Sequence, residues 1–399
     1  MLSAVDLQPE RWNTKVTKGH KDHNVVLFVF LVRFVLLIFK SKLTPPLLRL
    51  FLSTMLYALY LGLMNSNLRF AIAGCGKIAP RHAAEAVKHG QLVAACDIIL
   101  EKANELTQSY SANAYCSLDD LLSKENDIDV IAVCTPNGLH AEHSIKTLRA
   151  GIHVLCEKPL CILSSDALKM VDESKKANKK LFVVKSTRYN PALAALKKAM
   201  EENRLGRVYS FQLNCFWNRP AAYYANSWKG DESLDGGTLY TQFSHYIDAL
   251  LWLLGDIKGV TGFRKNSAHQ NIIDFEDSGV IAMEMQNGII GGLNWSVNTF
   301  QKNMEVSLSI IAEKGNIRIA GEYMNRIEYQ LIDQYELSVP SGGNANDYGF
   351  YKGSMSNHDK IYENLVKALN DDTHPFANAL DGLKTVEAIE RIYKSVSLH

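Results

Sequence analysis

The run Leu68-Arg69-Phe70-Ala71-Ile72-Ala73-Gly74-Cys75-Gly76-Lys77-Ile78-Ala79 decides how the rest of the chain is read. Its first half suits a buried strand, and its second half is G-x-G-x-x-A, leading into a helix that continues through Lys88. The glycines permit a tight turn and let backbone approach a pyrophosphate, which then sits at the helix N-terminus. Alone, such a turn is a weak signal. The context strengthens it: a second strand spans 91–96 and ends at Asp97, where a carboxylate can accept hydrogen bonds from ribose hydroxyls. Ile98-Ile99-Leu100 follow, with no arginine to hold a 2′-phosphate, so the expected cofactor is NAD and not NADP. Gly74, Gly76, Lys77, Ile78 and Asp97 are its candidate contacts.

Working outward, helices are expected at 100–109, 117–124, 138–149 and 164–178, and strands at 128–133, 152–155 and 181–184. Ala141, Ile145 and Leu148 recur at helical spacing and should face a sheet. Alternation of this kind implies a right-handed, doubly wound parallel sheet, the Rossmann arrangement of the α/β class. In such sheets ligands bind outside the carboxyl ends of the strands. Two further strand ends therefore matter: Cys134-Thr135-Pro136-Asn137 with His140 close behind, and Cys156-Glu157-Lys158-Pro159. The proline biases Lys158 towards extended backbone and away from any helix. Thr135, Pro136, Asn137, His140 and Glu157 join the candidate cofactor contacts, and Lys158 is a candidate catalytic residue at a domain junction. His140 and His143, three apart, lack further ligands nearby, so no metal is expected.

After Arg188-Tyr189-Asn190-Pro191 and a helix at 192–203 the pattern changes. Strands are expected at 208–217, 260–265, 278–286, 289–297, 304–311 and 316–319, with Asn287-Gly288 as a hairpin turn. Strands in series without helices imply an α+β domain with a large, mostly antiparallel open sheet, one face apolar and available to another subunit. One helix, 237–254, carries two stripes: Phe243, Ile247, Leu250, Leu251 and Leu254 should pack inwards, while Thr241, His245 and Asp248 lie on another face. A histidine there is either structural or a base for alcohol oxidation, for which its pKa is suited; the loop Asp235-Gly236-Gly237 before it favours the base, with Asp248 to orient it. The polar and aromatic run 216–230 reads either as a solvated loop or as a binding loop in which Arg219 and Lys229 meet phosphates or a carboxylate. A second such loop, 341–356, precedes Asn357-His358, and a last helix is expected at 383–396.

The composition of the 399 residues, 47% hydrophobic and 21% charged, is that of a globular protein, and a net charge of +1 excludes an electrostatic nucleic-acid binder. The seven cysteines contain no C-x-x-C pair and fit reduced thiols, hence the cytoplasm. Residues 25–39 and 47–63 are apolar, but each falls below the roughly 20 residues a membrane helix needs and each carries an arginine. Either they anchor the chain at a membrane or they belong to a leader upstream of a start at Met64, the reading preferred because a domain begins directly after it. The domains are then 1–66 as an extension, 67–187 for NAD binding, and 188–399 for substrate binding and oligomerisation.

Four runs, AGCGKIA at 73–79, CTPNGLHAEH at 134–143, CEKPL at 156–160 and GGTLYTQFSHYID at 236–248, resemble the glucose–fructose oxidoreductase and inositol dehydrogenase (Gfo/Idh/MocA) family from about Leu68 to the C-terminus. The resemblance implies that Lys158 contacts substrate and nicotinamide and that His245 acts as acid or base. Many members carry an aspartate four residues before that histidine, where this chain has Thr241. LYTQFSHYID with FWNRPAAYY, SWKG and NHDK is most similar to the branch that oxidises UDP-N-acetyl-glucosaminuronic acid at C3 for surface polysaccharide synthesis. That likeness makes Arg188, Tyr189, Asn190, Lys229, Thr241 and Gln242 candidate contacts to the sugar nucleotide, and implies a homotetramer or homodimer. The alternatives are a dehydrogenase of another sugar or cyclitol, and a catalytically idle NAD-binding scaffold held at a membrane.

Overall fold

The computed structural model describes residues 68–339 and 352–399 and the backbone of Ala345–Asp347. Residues 1–67, with both apolar runs, lie outside the described residues, as does half of the loop 341–356. Among the described residues no helix is long and apolar enough to cross a membrane.

The first sheet is built from β1 (Leu68–Ala73), β2 (Gly90–Cys96), β3 (Asn113–Tyr115), β4 (Val130–Val133), β5 (His153–Cys156) and β6 (Leu181–Val183). All neighbours are parallel, in the order β3-β2-β1-β4-β5-β6. The order reverses between β1 and β4, so the crevice opens where Gly74 and Cys134 leave the sheet. The connecting helices are α1 (Ala79–His89), α2 (Leu100–Gln108), α3 (Leu118–Lys124), α4 (His140–Arg149) and α5 (Ser164–Ala177). Local chemistry sets their ends: Ser117 caps α3 by accepting from Asp120 N at 3.0 Å, and Asn178 stops α5 with a left-handed backbone (φ 49°). The strands are buried on both faces where they meet the helices, which is why Phe70–Ala73 of β1 and all of β4 read as unbroken apolar runs.

After α6 (Pro191–Glu201) the chain forms β7 (Val208–Phe216), α7 (Ala221–Tyr224), α8 (Thr238–Thr241) and α9 (Ser244–Leu254). It then lays down β8 (Ile257–Lys265), β9 (Ser278–Met285), β10 (Ile290–Ser296), β11 (Glu305–Ala312), β12 (Gly315–Ala320) and β13 (Arg326–Ile332). The seven-stranded order is β13-β12-β11-β7-β10-β9-β8, with β7 and β10 parallel and all other neighbours antiparallel. Alternation places Phe211, Leu213, Cys215 and Trp295 in the core. The opposite face is not the apolar one expected: Gln212, Asn214 and Asn294 run through its middle, and Val280, Ile290 and Ile311 are exposed around them. After the short pair β14 (Ala345–Asp347) and β15 (Lys352–Met355) come α10 (His358–Asn370) and α11 (Ala379–Ser395). Both return to the first sheet: Tyr362 and Leu365 of α10 join the cluster around Phe70 and Ile72, and α11 packs on α5.

The helix expected over 237–254 is interrupted. Phe243 N reaches back five residues to Thr238 O (3.1 Å), and α9 begins afresh at Ser244. Trp295 fixes the start of α8 through Nε1–H donated to Thr238 Oγ1 at 3.0 Å. On the neighbouring strand Gly279 faces this indole, and a Cβ there would meet its Cη2 at 2.1 Å. Gly279→Ala should therefore lower the unfolding free energy by about 1–3 kcal/mol in urea titration; an unchanged midpoint would show that the indole is free to move aside.

Candidate active site

The ends of β1, β4 and β5 face α8, α9 and β15 across a cleft of about 200 Å³. Gly76, Lys77, Ile78, Thr135, Asn137, His140, Glu157 and Lys158 line it from the first sheet, and Lys229, Thr241, Gln242 and His245 from the other side. Gly74 (φ +93°) lies behind this lining; a Cβ would sit 2.8 Å from the Cys134 carbonyl, so only glycine fits the turn. A Cβ on Gly76 would meet nothing within 4 Å, leaving open space over the turn beside the N-terminus of α1. Asp97 accepts from Cys75 N (2.8 Å) and Ile99 N (2.9 Å), which holds its carboxylate beside the glycine turn. Pro136 precedes a 3₁₀ turn, Asn137–Leu139. His140 pins two strand ends together, with Nδ1 2.7 Å from Pro159 O and Nε2 2.8 Å from Thr135 O. The open cradle over Gly76 fits the pyrophosphate of a dinucleotide, and Asp97 fits its ribose.

Lys158 sits at the centre. Its Nζ donates to the Thr241 carbonyl at 2.8 Å, tying the end of β5 to α8. Burial lowers its pKa to about 8; the Glu157 charge opposes this and Arg219 adds to it. Glu157 accepts on one oxygen from His82 Nε2 (2.9 Å) and His358 Nε2 (3.1 Å), and on the other from Lys158 N (3.0 Å). Burial alone would raise its pKa, but the hydrogen bonds from His358 and His82 hold it well below the ordinary carboxylate value. Among the described residues these three side chains also form a group with metal-ligand reach, their donor atoms within 4.8 Å of one another. Hydrogen bonding accounts for the His82 arm: with Tyr362 O–H donating to His82 Nδ1 (3.0 Å), its Nε2 carries a proton towards the carboxylate, which His358 Nε2 also approaches at 3.1 Å.

His245 is buried, with Nε2 3.3 Å from Ser354 Oγ. Burial and then the Lys158 charge push its pKa well below 6.5, so it is neutral and able to accept a proton at neutral pH. Asp248 does not orient it. Its oxygens are taken by Lys185 (2.9 Å), by Arg188 through two 2.8 Å bonds and by Thr385 Oγ1 (3.2 Å). The structure likewise does not bring Arg188, Tyr189 and Asn190 to the cleft. Arg188 is spent on Asp248 and Asp381, Asn190 donates to Tyr323 O, and Tyr189 packs on the Phe70 cluster.

The mouth is cationic and aromatic. The Lys229 ammonium lies 4.9 Å from the centre of the Tyr223 ring and 5.0 Å from that of Trp228, and Arg219 lies over Trp217 and Tyr223. Cation–π contact leaves N–H donors for an anion. Sequence reading singled out this loop but missed Ser186, Ser354 and His358, which also line the cleft. Ser354 and His358 stand at the end of the Gly- and Asn-rich loop; its composition, and for His358 the run NHDK, are the signals the sequence carries.

Residues 68–185 match the model of the oxidoreductase family with NAD-binding Rossmann fold, and 193–318 match the GFO/IDH/MocA C-terminal domain. Two solved structures complete the comparison. The WlbA dehydrogenase from Bordetella pertussis, in complex with NADH and UDP-GlcNAcA, is 33% identical over 82% of this chain and 96% of its own (TM-score 0.73). That from Chromobacterium violaceum, with the same ligands, is 34% identical over 82% and 93% (TM-score 0.74).

The chain belongs to the Gfo/Idh/MocA family.

It is an NAD-dependent sugar oxidoreductase of that type. Levoglucosan dehydrogenase from Pseudarthrobacter phenanthrenivorans is 28% identical over 56% of this chain and 64% of its own length. D-glucoside 3-dehydrogenase from Escherichia coli is 28% identical over 67% of this chain and 84% of its own.

The Asp248 cluster gives a pH-dependent stability. Burial disfavours the carboxylate, but Lys185 and Arg188 outweigh it and hold the pKa at about 2. A depressed pKa stabilises above the unfolded value near 4 and ceases to do so as pH falls towards 2, here on the order of 2 kcal/mol. Asp248→Asn, which leaves two buried cations, should cost about 3–5 kcal/mol at pH 7. In urea titrations the gap from wild type should narrow as pH falls from 4 to 2; a constant gap would contradict this electrostatic origin.

Proposed function

We propose that the chain oxidises the C3 hydroxyl of UDP-N-acetyl-glucosaminuronic acid to a ketone, for the biosynthesis of a surface polysaccharide sugar. The observation that carries this reading is the mouth of the cleft. Lys229, Arg219 and Lys77 stand beside Trp228 and Tyr223, chemistry suited to a diphosphate or carboxylate with a stacked base or sugar. Among the described residues no carboxylate is within ion-pair distance of Lys229. A neutral monosaccharide would leave the Lys229 ammonium without an anionic partner. The two WlbA dehydrogenases, bound to UDP-GlcNAcA, also share more identity with this chain than levoglucosan dehydrogenase does.

In this reading Gly74, Gly76, Lys77, Ile78 and Asp97 hold NAD, with Thr135, Pro136, Asn137, His140 and Glu157 shaping the nicotinamide end. Bound NAD supplies the hydride acceptor. His245, neutral at pH 7, takes the hydroxyl proton on its imidazole nitrogen. Lys158, as an ammonium, donates a hydrogen bond to the same oxygen and stabilises the negative charge that develops there. Lys229, Thr241 and Gln242 position the sugar nucleotide. Homotetramers or homodimers through the exposed face of the larger sheet belong to the same proposal, as does a cytoplasmic site of action, which suits seven free cysteines.

Purified protein should form NADH with UDP-N-acetyl-glucosaminuronic acid and far less with levoglucosan, glucosides or inositol. The reverse order would sink the proposed substrate, and NAD binding without turnover on any sugar would favour an idle scaffold. Lys158→Ala should lower kcat by about 10²-fold or more while leaving NAD affinity nearly intact. In wild type kcat should rise with pH through the depressed His245 pKa and fall as Lys158 loses its proton near pH 8.

A further inference from the structure

We propose that Asp235 is a positioning residue for the reaction: through Thr241 it fixes the carbonyl that Lys158 grips, and it adds a second buried negative charge to that of Glu157 in keeping Lys158 an ammonium. This rests on the reading of Lys158 as a cation that stabilises developing alkoxide. Asp235 lies in the loop before α8, fully buried. It is not part of the cleft lining and reaches it through Thr241.

The geometry is a short ladder. Asn137 Nδ2 donates to both the Asp235 carbonyl (2.8 Å) and Thr241 Oγ1 (2.7 Å). With one side of its hydroxyl occupied by a donor, Thr241 must give its own proton onward, and it donates to Asp235 Oδ1. Asp235 Oδ2 accepts from Gly230 N at 3.0 Å. Thr241 is thus held from both sides, and its carbonyl is the acceptor for Lys158 Nζ.

Three buried carboxylates surround the cleft floor. Glu157 is satisfied by two histidines and Asp248 by Lys185 and Arg188. The direct partners of Asp235 are a hydroxyl and backbone amides, all neutral, so no bonded cation cancels its charge. Lys158 faces Glu157 and Asp235, which favour its charged form, and Arg219, Lys185 and His245, of which the first two disfavour it. Asp235 itself faces Lys229 and Tyr224 as well as Lys158. Burial raises the Asp235 carboxyl to about 6, leaving it ionised where the enzyme would work.

The test reads Lys158 directly, without turnover. Competitive labelling with trace acetic anhydride across pH, followed by mass spectrometry of the Lys158 peptide, gives the midpoint of its ionisation. Asp235→Asn should lower that midpoint by roughly one pH unit. The alkaline limb of kcat should move with it, while the NAD dissociation constant stays unchanged. An unshifted labelling midpoint in a folded Asp235→Asn protein overturns the proposal. If Asp235→Asn does not fold, Thr241→Val is read the same way: a lowered midpoint restored by Thr241→Ser supports the ladder, and no shift overturns it. A shifted midpoint in a protein inactive on sugar nucleotides would refute the proposed substrate and leave the role of Asp235 standing. Turnover on the sugar nucleotide with an unshifted midpoint would do the opposite.

Discussion

The Glu157 carboxylate is the constraint on which the site depends. It follows β5, it is buried, and its hydrogen bonds come from His82 on α1, His358 on α10 and the amide of Lys158. A carboxylate in low dielectric needs such donors to remain ionised. The histidines therefore fix more than a charge: they hold the glycine-turn helix and a C-terminal helix against the strand end that presents Lys158. Residues 82, 157 and 358 are remote in sequence, so the fold must be complete before Lys158 is placed.

From that anchor the remaining charges fall into layers. Asp248 is buried away from the cleft lining, clamped by Lys185 and Arg188, and works for stability. Lys158 and His245 occupy the middle, where burial pulls both towards their neutral forms and brings Lys158 to about 8. Lys229 and Lys77 stand at the mouth. Cations become less paired from floor to opening, the gradient expected where the final partner is a ligand and not a protein carboxylate.

Much of this was legible in the sequence, for physical reasons. The turn at Gly74–Ile78 and the strand ends at Thr135 and Lys158 follow from parallel-sheet geometry, in which apolar runs end at the ligand crevice. The alternating strands of the larger sheet follow from their period, except β13, where four of the seven residues are exposed; in the first sheet β3 gives no pattern because it is only three residues long. Arg188, expected at the ligand, and Asp248, expected to orient His245, instead satisfy each other, a pairing that only burial reveals. The break at Phe243 was invisible because the apolar stripe continues through it. His82 and His358 gave no sign of meeting, since pairings across 276 positions leave no local pattern.

Thr241 joins these threads. The family resemblance marks the position as one where a carboxylate is often found, and a hydroxyl there reads as a loss of charge. In the fold that hydroxyl is bonded to Asp235, so a carboxylate remains within one hydrogen bond of the position but is withdrawn from the cleft. A buried carboxylate behind a neutral hydroxyl supports the Lys158 ammonium without presenting negative charge to the ligand. An anionic substrate would be repelled by an aspartate at the wall and tolerated by a threonine. The same substitution therefore keeps the counter-charge for Lys158 and removes an obstacle to a charged sugar, which is the combination the cationic mouth requires.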